Sequence, residues 1–210
     1  MQLTARPRRG EAGVTLVEML IAIVLLSIII VPLGSALWLF FRNSDDTTRR
    51  LSESHDLQIA SAYFAMDVQS IGTRDWSAYP YVMRQSVEVD VAPTTGVNPC
   101  GPAGTRNAFI RLAWDEATGT GTPAVIAVSY VPKLLGGEQQ LRRIQCRNAV
   151  VQSDIVVIHN VDTVSAPVCS TTCTAAPAIP QSIKLGLKIK APGDSGTGIT
   201  ITLSGQRRTT

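Results

Sequence analysis

Between Gly13 and Phe41 the chain reads GVTLVEMLIAIVLLSIIIVPLGSALWLFF. The twenty-three residues from Met19 to Phe41 carry no charge, which meets the requirement of about 20 apolar residues for a membrane-crossing helix. Glu18 stands at the edge of this run. A carboxylate there is costly unless something pairs with it, roughly 2.5–3.5 kcal/mol on insertion scales for Asp at mid-membrane. Ahead of the run lies RPRRGEAG, short, basic and ending in glycine.

Working outward, Arg6, Arg8 and Arg9 place the N-terminus in the cytoplasm by the positive-inside rule and send the residues after Phe41 outward. A secretory signal has its cleavage site after the apolar run. Here no small-x-small site follows, and Gly13–Val14, before the run, is the sharper candidate. Pro32 removes an amide and crowds the carbonyl of Ile28, and Gly34 weakens the same turn. These two residues mark an expected helix break. The bland alternative is that membrane helices tolerate both.

After Phe41 the helix is expected to continue in water, with Arg42, Asn43, Asp45, Asp46, Arg49 and Arg50 at its emergence. Leu57, Ala60, Phe64, Val68 and Ile71 then recur at spacings of three and four, with Ile59, Tyr63 and Met66 widening the stripe. That pattern makes a core-facing amphipathic helix, and Gly72 ends it. Beyond Tyr79 the periodicity changes. Val82–Val91, Ala108–Trp114, Ala124–Val131, Gln140–Cys146, Ile155–Val161, Ser182–Ile189 and Ile199–Ser204 read as strands, with Gly136–Gly137 as a hairpin turn. The expected fold is α+β: one long N-terminal helix, half transmembrane and half amphipathic, packed on an antiparallel sheet. The expected divisions are 1–13 (leader), 14–41 (membrane helix), 42–72 (amphipathic continuation) and 73–210 (extracytoplasmic β-rich domain).

The chain has 210 residues and a net charge of +3, enough for one membrane segment and one domain and too little charge for nucleic-acid binding by bulk electrostatics. Cys100, Cys146, Cys169 and Cys173 all follow the apolar run, and none forms a C-x-x-C pair. An even number beyond a membrane segment favours disulfides over metal. Cys169 and Cys173 can close a small loop, leaving Cys100 for Cys146, although four cysteines allow three pairings. No catalytic motif is present, so neither catalysis, a cofactor nor a metal is expected. His159 reads as a surface or hydrogen-bonded histidine, and Asp67, Asp90, Asp115 and Glu116 look scattered. Arg142, Arg143 and Arg147, with Arg207 and Arg208, read either as a basic patch or as charges guarding strand edges.

The stretch GVTLVEMLIAIVLLSIIIVPLG behind its basic leader resembles the N-terminal motif of type IV pilins and type II secretion pseudopilins. The resemblance implies that a prepilin peptidase cuts after Gly13 and methylates Val14, which stands where the family usually has Phe. It makes Glu18 the fifth mature residue, pairing with an α-amino group of its own or a preceding subunit. It also places Pro32 and Gly34 where such helices lose order in filaments. Shorter stretches, SHDLQIASAYFAMDVQSIG, VIAVSYVP, QQLRRIQC and TITLSGQRR, look like minor pilins of the PilW kind and the J-type pseudopilin, which prime or cap a filament. The implied partners are the peptidase, other pilins or pseudopilins, an assembly platform, and membrane lipid before assembly. A permanently anchored extracellular binding domain is the alternative reading. So is a tip subunit for adhesion or DNA capture through Arg142, Arg143 and Arg147, with nucleic acid left open as a partner.

Overall fold

The computed structural model describes residues 15–119, 121–190 and 197–208. One helix, α1 (Leu16–Ser70), precedes eleven strands. These are β1 (Thr73–Arg74), β2 (Met83–Arg84), β3 (Val87–Val91), β4 (Ala108–Glu116), β5 (Ala124–Leu135), β6 (Glu138–Arg147), β7 (Val150–Ile158), β8 (Val161–Val164), β9 (Val168–Cys169), β10 (Ser182–Ile189) and β11 (Ile199–Gln206). The chain divides into two units, residues 1–50 and 51–210.

In the first unit, Leu16–Ser44 is long and apolar enough to cross a membrane, and none of its most apolar part is buried within the protein. Two of its serine hydroxyls are satisfied locally. Ser27 Oγ donates to the Val24 carbonyl (2.8 Å) and Ser35 Oγ to the Pro32 carbonyl (2.9 Å), as a hydrocarbon environment demands. The helix runs through Pro32 and Gly34 without interruption. The break expected at these residues is therefore absent from the single chain and stands as a proposal about the assembled subunit.

In the second unit, Ala60, Phe64 and Val68 of α1, with Ile71 just after it, are buried in one core with both larger sheets. The five-stranded sheet is a meander, β3-β4-β5-β6-β7, and the other sheet runs β11-β10-β8, with β9 also on β10. All the strand pairs in them are antiparallel. Two-residue turns drive the meander. Gly136 and Gly137 (φ 60° and 84°) join β5 to β6, and Asn148 and Ala149 (φ 49° and 65°) join β6 to β7, the left-handed conformations that tight hairpins require. At Gly205 of β11 an added Cβ would lie 2.5 Å from Val68 Cβ, so a bare backbone lets this strand close onto the helix.

The structure amends the sequence reading in its details, and the run Val82–Val91 is divided between β2 and β3, which belong to different sheets. Two sheets, not one, receive the helix. The run Ile155–Val161 is split at Asn160, whose positive φ (55°) turns the chain from β7 to β8. Met66 is 58% exposed, and the neighbouring Asp67 is buried in its stead.

Candidate functional site

At its start α1 is capped by Thr15, whose Oγ1 and carbonyl accept from the Glu18 amide at 3.3 and 3.1 Å. Thr15-x-x-Glu18 is thus the capping-box spacing, with the glutamate in the first turn where the helix dipole favours a negative charge. This local role for Glu18 is legible in the sequence as Thr15-x-x-Glu18. The Glu18 side chain itself is exposed. From Leu16 to Phe41 the large apolar side chains, Leu20, Leu26 and Ile30 among them, are exposed as well, leaving lipid or other helices to cover them. Gly13 and Val14 lie outside the described residues.

Residues 8–34 match the prokaryotic N-terminal methylation motif. The chain carries the prepilin motif of type IV pilins and pseudopilins. No curated protein and no solved structure matches it. The motif supports a type IV pilin-like or pseudopilin subunit of the kind that prepilin peptidase processes and that assembles with other pilins, and the apolar helix that continues it fits a membrane-anchored protein. The motif points to a structural pilin-type subunit.

The second unit holds two buried charge clusters that sequence reading does not bring together. Asp67 on α1 takes a forked pair of bonds from Arg143, Nε to Oδ2 at 2.8 Å and Nη2 to Oδ1 at 2.7 Å. The buried Tyr130 hydroxyl donates to the same Oδ2 at 2.7 Å, and the Tyr63 ring lies 4.9 Å beneath the guanidinium. Burial and the adjacent Asp67 charge push the Tyr130 phenol well above its ordinary pKa, so it stays a donor. Burial pulls the Arg143 guanidinium down, but its bonds to Asp67 outweigh this and hold it above the ordinary arginine value.

On the opposite face Arg111 is fully buried. Its Nε donates to Ser129 Oγ (3.0 Å), Nη1 to Glu88 Oε2 (3.2 Å) and the Thr95 carbonyl (2.7 Å), and Nη2 to the Ala92 carbonyl (2.7 Å). Glu88 in turn accepts from the Val97 and Asn98 amides. Burial lowers the Arg111 pKa, partly offset by Glu88. A Cβ at Gly96 (φ 90°) would collide with the Glu88 carboxylate. Ser129 Oγ donates to the Cys100 carbonyl (2.9 Å), so the loop from Ala92 to Asn107 is fastened over the sheet.

Cys100 is bonded to Cys146 and Cys169 to Cys173, and no cysteine is free. Arg142 pairs with Asp154 (2.6 Å), Arg143 with Asp67 and Arg147 with Glu116 (3.0 Å). Of the two readings of these arginines, a free basic patch is not what the structure shows at these three: a carboxylate pairs with each, and Arg143 lies in the core. His159 Nδ1 lies 2.7 Å from Asp56 of α1, a surface contact that ties the β7–β8 turn to the helix. Asp90 takes an Asn107 amide, and Asp115 accepts from Trp76 and from the Arg74 amide. The carboxylates that look scattered in sequence are structural partners. Among the described residues no three His, Cys, Asp or Glu side chains group as a metal site.

Proposed function

We propose that this chain is a minor pilin or pseudopilin that primes or caps a filament. The observation that carries the reading is the prepilin motif on a wholly exposed apolar helix with Glu18 at its head. On this reading the domain is 73–210, outside the cytoplasmic membrane and later at the cell surface or in the periplasm. The leader 1–13 stays in the cytoplasm until the peptidase cuts Gly13–Val14 and methylates Val14. The new α-amino group and Glu18 are opposite charges near apolar surroundings, where pairing relieves the desolvation of both. The helix segment 14–41 then packs among other pilin helices, with Pro32 and Gly34 as the turn that opens there, while 42–72 continues it onto the domain. A two-sheet domain carrying a fastened loop is bulky for a densely repeated subunit, which favours a low-copy position.

Capping and charge pairing make separable predictions for Glu18. Glutamine serves a capping box as glutamate does but carries no charge. Glu18→Gln therefore keeps membrane insertion and N-terminal processing, and removes the protein from sheared filaments. Undiminished incorporation refutes the pairing role. Intact mass of the membrane-extracted protein gives loss of residues 1–13 plus one methyl group. An uncut N-terminus overturns the pilin reading as a whole.

A further inference from the structure

The chain has three tryptophans and four tyrosines, and three of the seven fall within the six residues Trp76–Tyr81, between β1 and β2. The others are spent elsewhere: Trp38 in the apolar run, Tyr63 under Arg143, Tyr130 in the core, Trp114 packed against it. The three in the ribbon turn outward, with Trp76 36%, Tyr81 41% and Tyr79 87% exposed. They also touch. Trp76 and Tyr81 have ring centroids 4.8 Å apart at 37°, and Tyr79 meets Tyr81 edge-on at 5.9 Å. Single exposed rings need no explanation, whereas a joined set is a surface that recognises something.

The rings are held in place before any ligand arrives. Trp76 Nε1 donates to Asp115 Oδ2 (2.8 Å), and the same oxygen accepts from the Arg74 amide (2.8 Å). Arg74 Nη1 donates to the Tyr81 carbonyl (3.2 Å), and the Asp75 amide to the Val82 carbonyl (2.8 Å). Asp115 lies on β4 of the five-stranded sheet, so the indole is anchored to that sheet. Such preorganisation lowers the ordering cost of binding. The rim is polar. Asp75 Oδ1 is occupied by Ser77, while among the described residues Asp75 Oδ2 and the hydroxyls of Tyr79 and Tyr81 hydrogen-bond no protein group.

We propose that the Trp76–Tyr79–Tyr81 ledge is a carbohydrate-binding site for neutral or N-acetylated pyranose units of a polysaccharide. A pyranose presents an apolar C–H face, which stacks on a ring, and a rim of hydroxyls, which need donors and acceptors at the side. The ledge supplies both. A small apolar ligand requires a concave pocket, and these rings form an open surface. A polyanion selects charge of a single sign, and here Asp75 and Asp115 stand among Arg74 and Arg84.

The test uses the full chain in a sugar-free detergent on an array of neutral, N-acetylated and uronate glycans, followed by titration calorimetry with the best oligosaccharide. Signal is expected on neutral or N-acetylated chains. Tyr79→Ala should weaken binding about 10-fold, the worth of one ring contact, and Tyr79→Phe should retain most of it, because the ring face does the stacking while Asp75 and the Tyr81 hydroxyl remain on the rim. An unchanged melting temperature in Tyr79→Ala, expected from its exposure, separates lost binding from lost folding. An empty array overturns the proposal, as does binding that is indifferent to Tyr79→Ala or confined to uronates. An empty array combined with ring-dependent co-purification of another pilin assigns the ledge to a protein contact and overturns it equally.

Discussion

The two faces of the five-stranded sheet each bury an arginine, and the partners of the two arginines differ. On the helix-facing side Arg143 meets Asp67, 76 residues away in sequence, through a two-bond fork, and Tyr130 completes the cluster. On the outer side Arg111 meets one carboxylate and two backbone carbonyls, those of Ala92 and Thr95. The first cluster joins α1 to the sheet, so the packing of the whole domain depends on it. The second fastens a loop that the Cys100–Cys146 bond also holds. Similar chemistry therefore serves a global contact on one face and a local one on the other, because the partner is a helix in one case and loop backbone in the other.

Breaking the helix-side cluster should have the largest effect. Asp67→Ala leaves Arg143 buried without its carboxylate, a loss of about 3–5 kcal/mol for a broken buried pair. Urea unfolding of the full chain would show the drop, and Asp67→Leu combined with Arg143→Met and Tyr130→Phe should recover most of it, since three apolar groups leave no orphaned charge or hydroxyl. A loss below about 1 kcal/mol in the single variant would mean that solvent reaches the cluster, contrary to its burial. On the outer face Arg111→Met combined with Glu88→Gln removes the partners of the Ala92 and Thr95 carbonyls without orphaning a buried charge, for about 1–3 kcal/mol. The sharper contrast is spatial. Hydrogen exchange should quicken across residues 92–107 while amides of β5 and β6 keep their protection. Uniform deprotection would erase the distinction between the faces.

Much of this architecture can be read from the sequence, and what cannot has identifiable causes. The helix stripe at Ala60, Phe64, Val68 and Ile71 follows from its spacing, and Gly136–Gly137 announces its hairpin. Asp67 escapes because periodicity rules count apolar residues, and a carboxylate three residues after Phe64 scores as surface although it lies on the inward side. Its partner sits in the dipeptide Arg142–Arg143, where strand alternation sends one arginine to Asp154 at the surface and the other into the core. Composition sees only a basic pair. The second sheet is hidden for another reason: β8 pairs with β10, across β9 and the Cys169–Cys173 loop, and no local signal encodes such a partner. At the N-terminus the opposite holds, since the motif, the membrane-length run and the capping box are all local and therefore visible in the letters.

The smallest expected effect separates the clusters by pH. Tyr130 belongs to the helix-side cluster alone, and burial beside Asp67 raises its pKa in the folded protein. In the unfolded chain a tyrosine titrates near pH 10. A raised folded pKa contributes stability that is fully present below the unfolded value and is lost as pH rises toward the folded one. Tyr130→Phe should therefore cost about 1 kcal/mol at neutral pH, the worth of one hydrogen bond, and that deficit relative to the parent should shrink above about pH 10. Ser129→Ala, on the outer face, removes a hydroxyl that does not titrate in this range, so its deficit should stay constant through the same window. Parallel denaturation curves at pH 7, 9 and 10.5 decide the matter. Equal behaviour of the two variants would show that Tyr130 ionises freely in the folded domain, and the Asp67 cluster would then have to be solvated in a way that Arg111 and its loop are not.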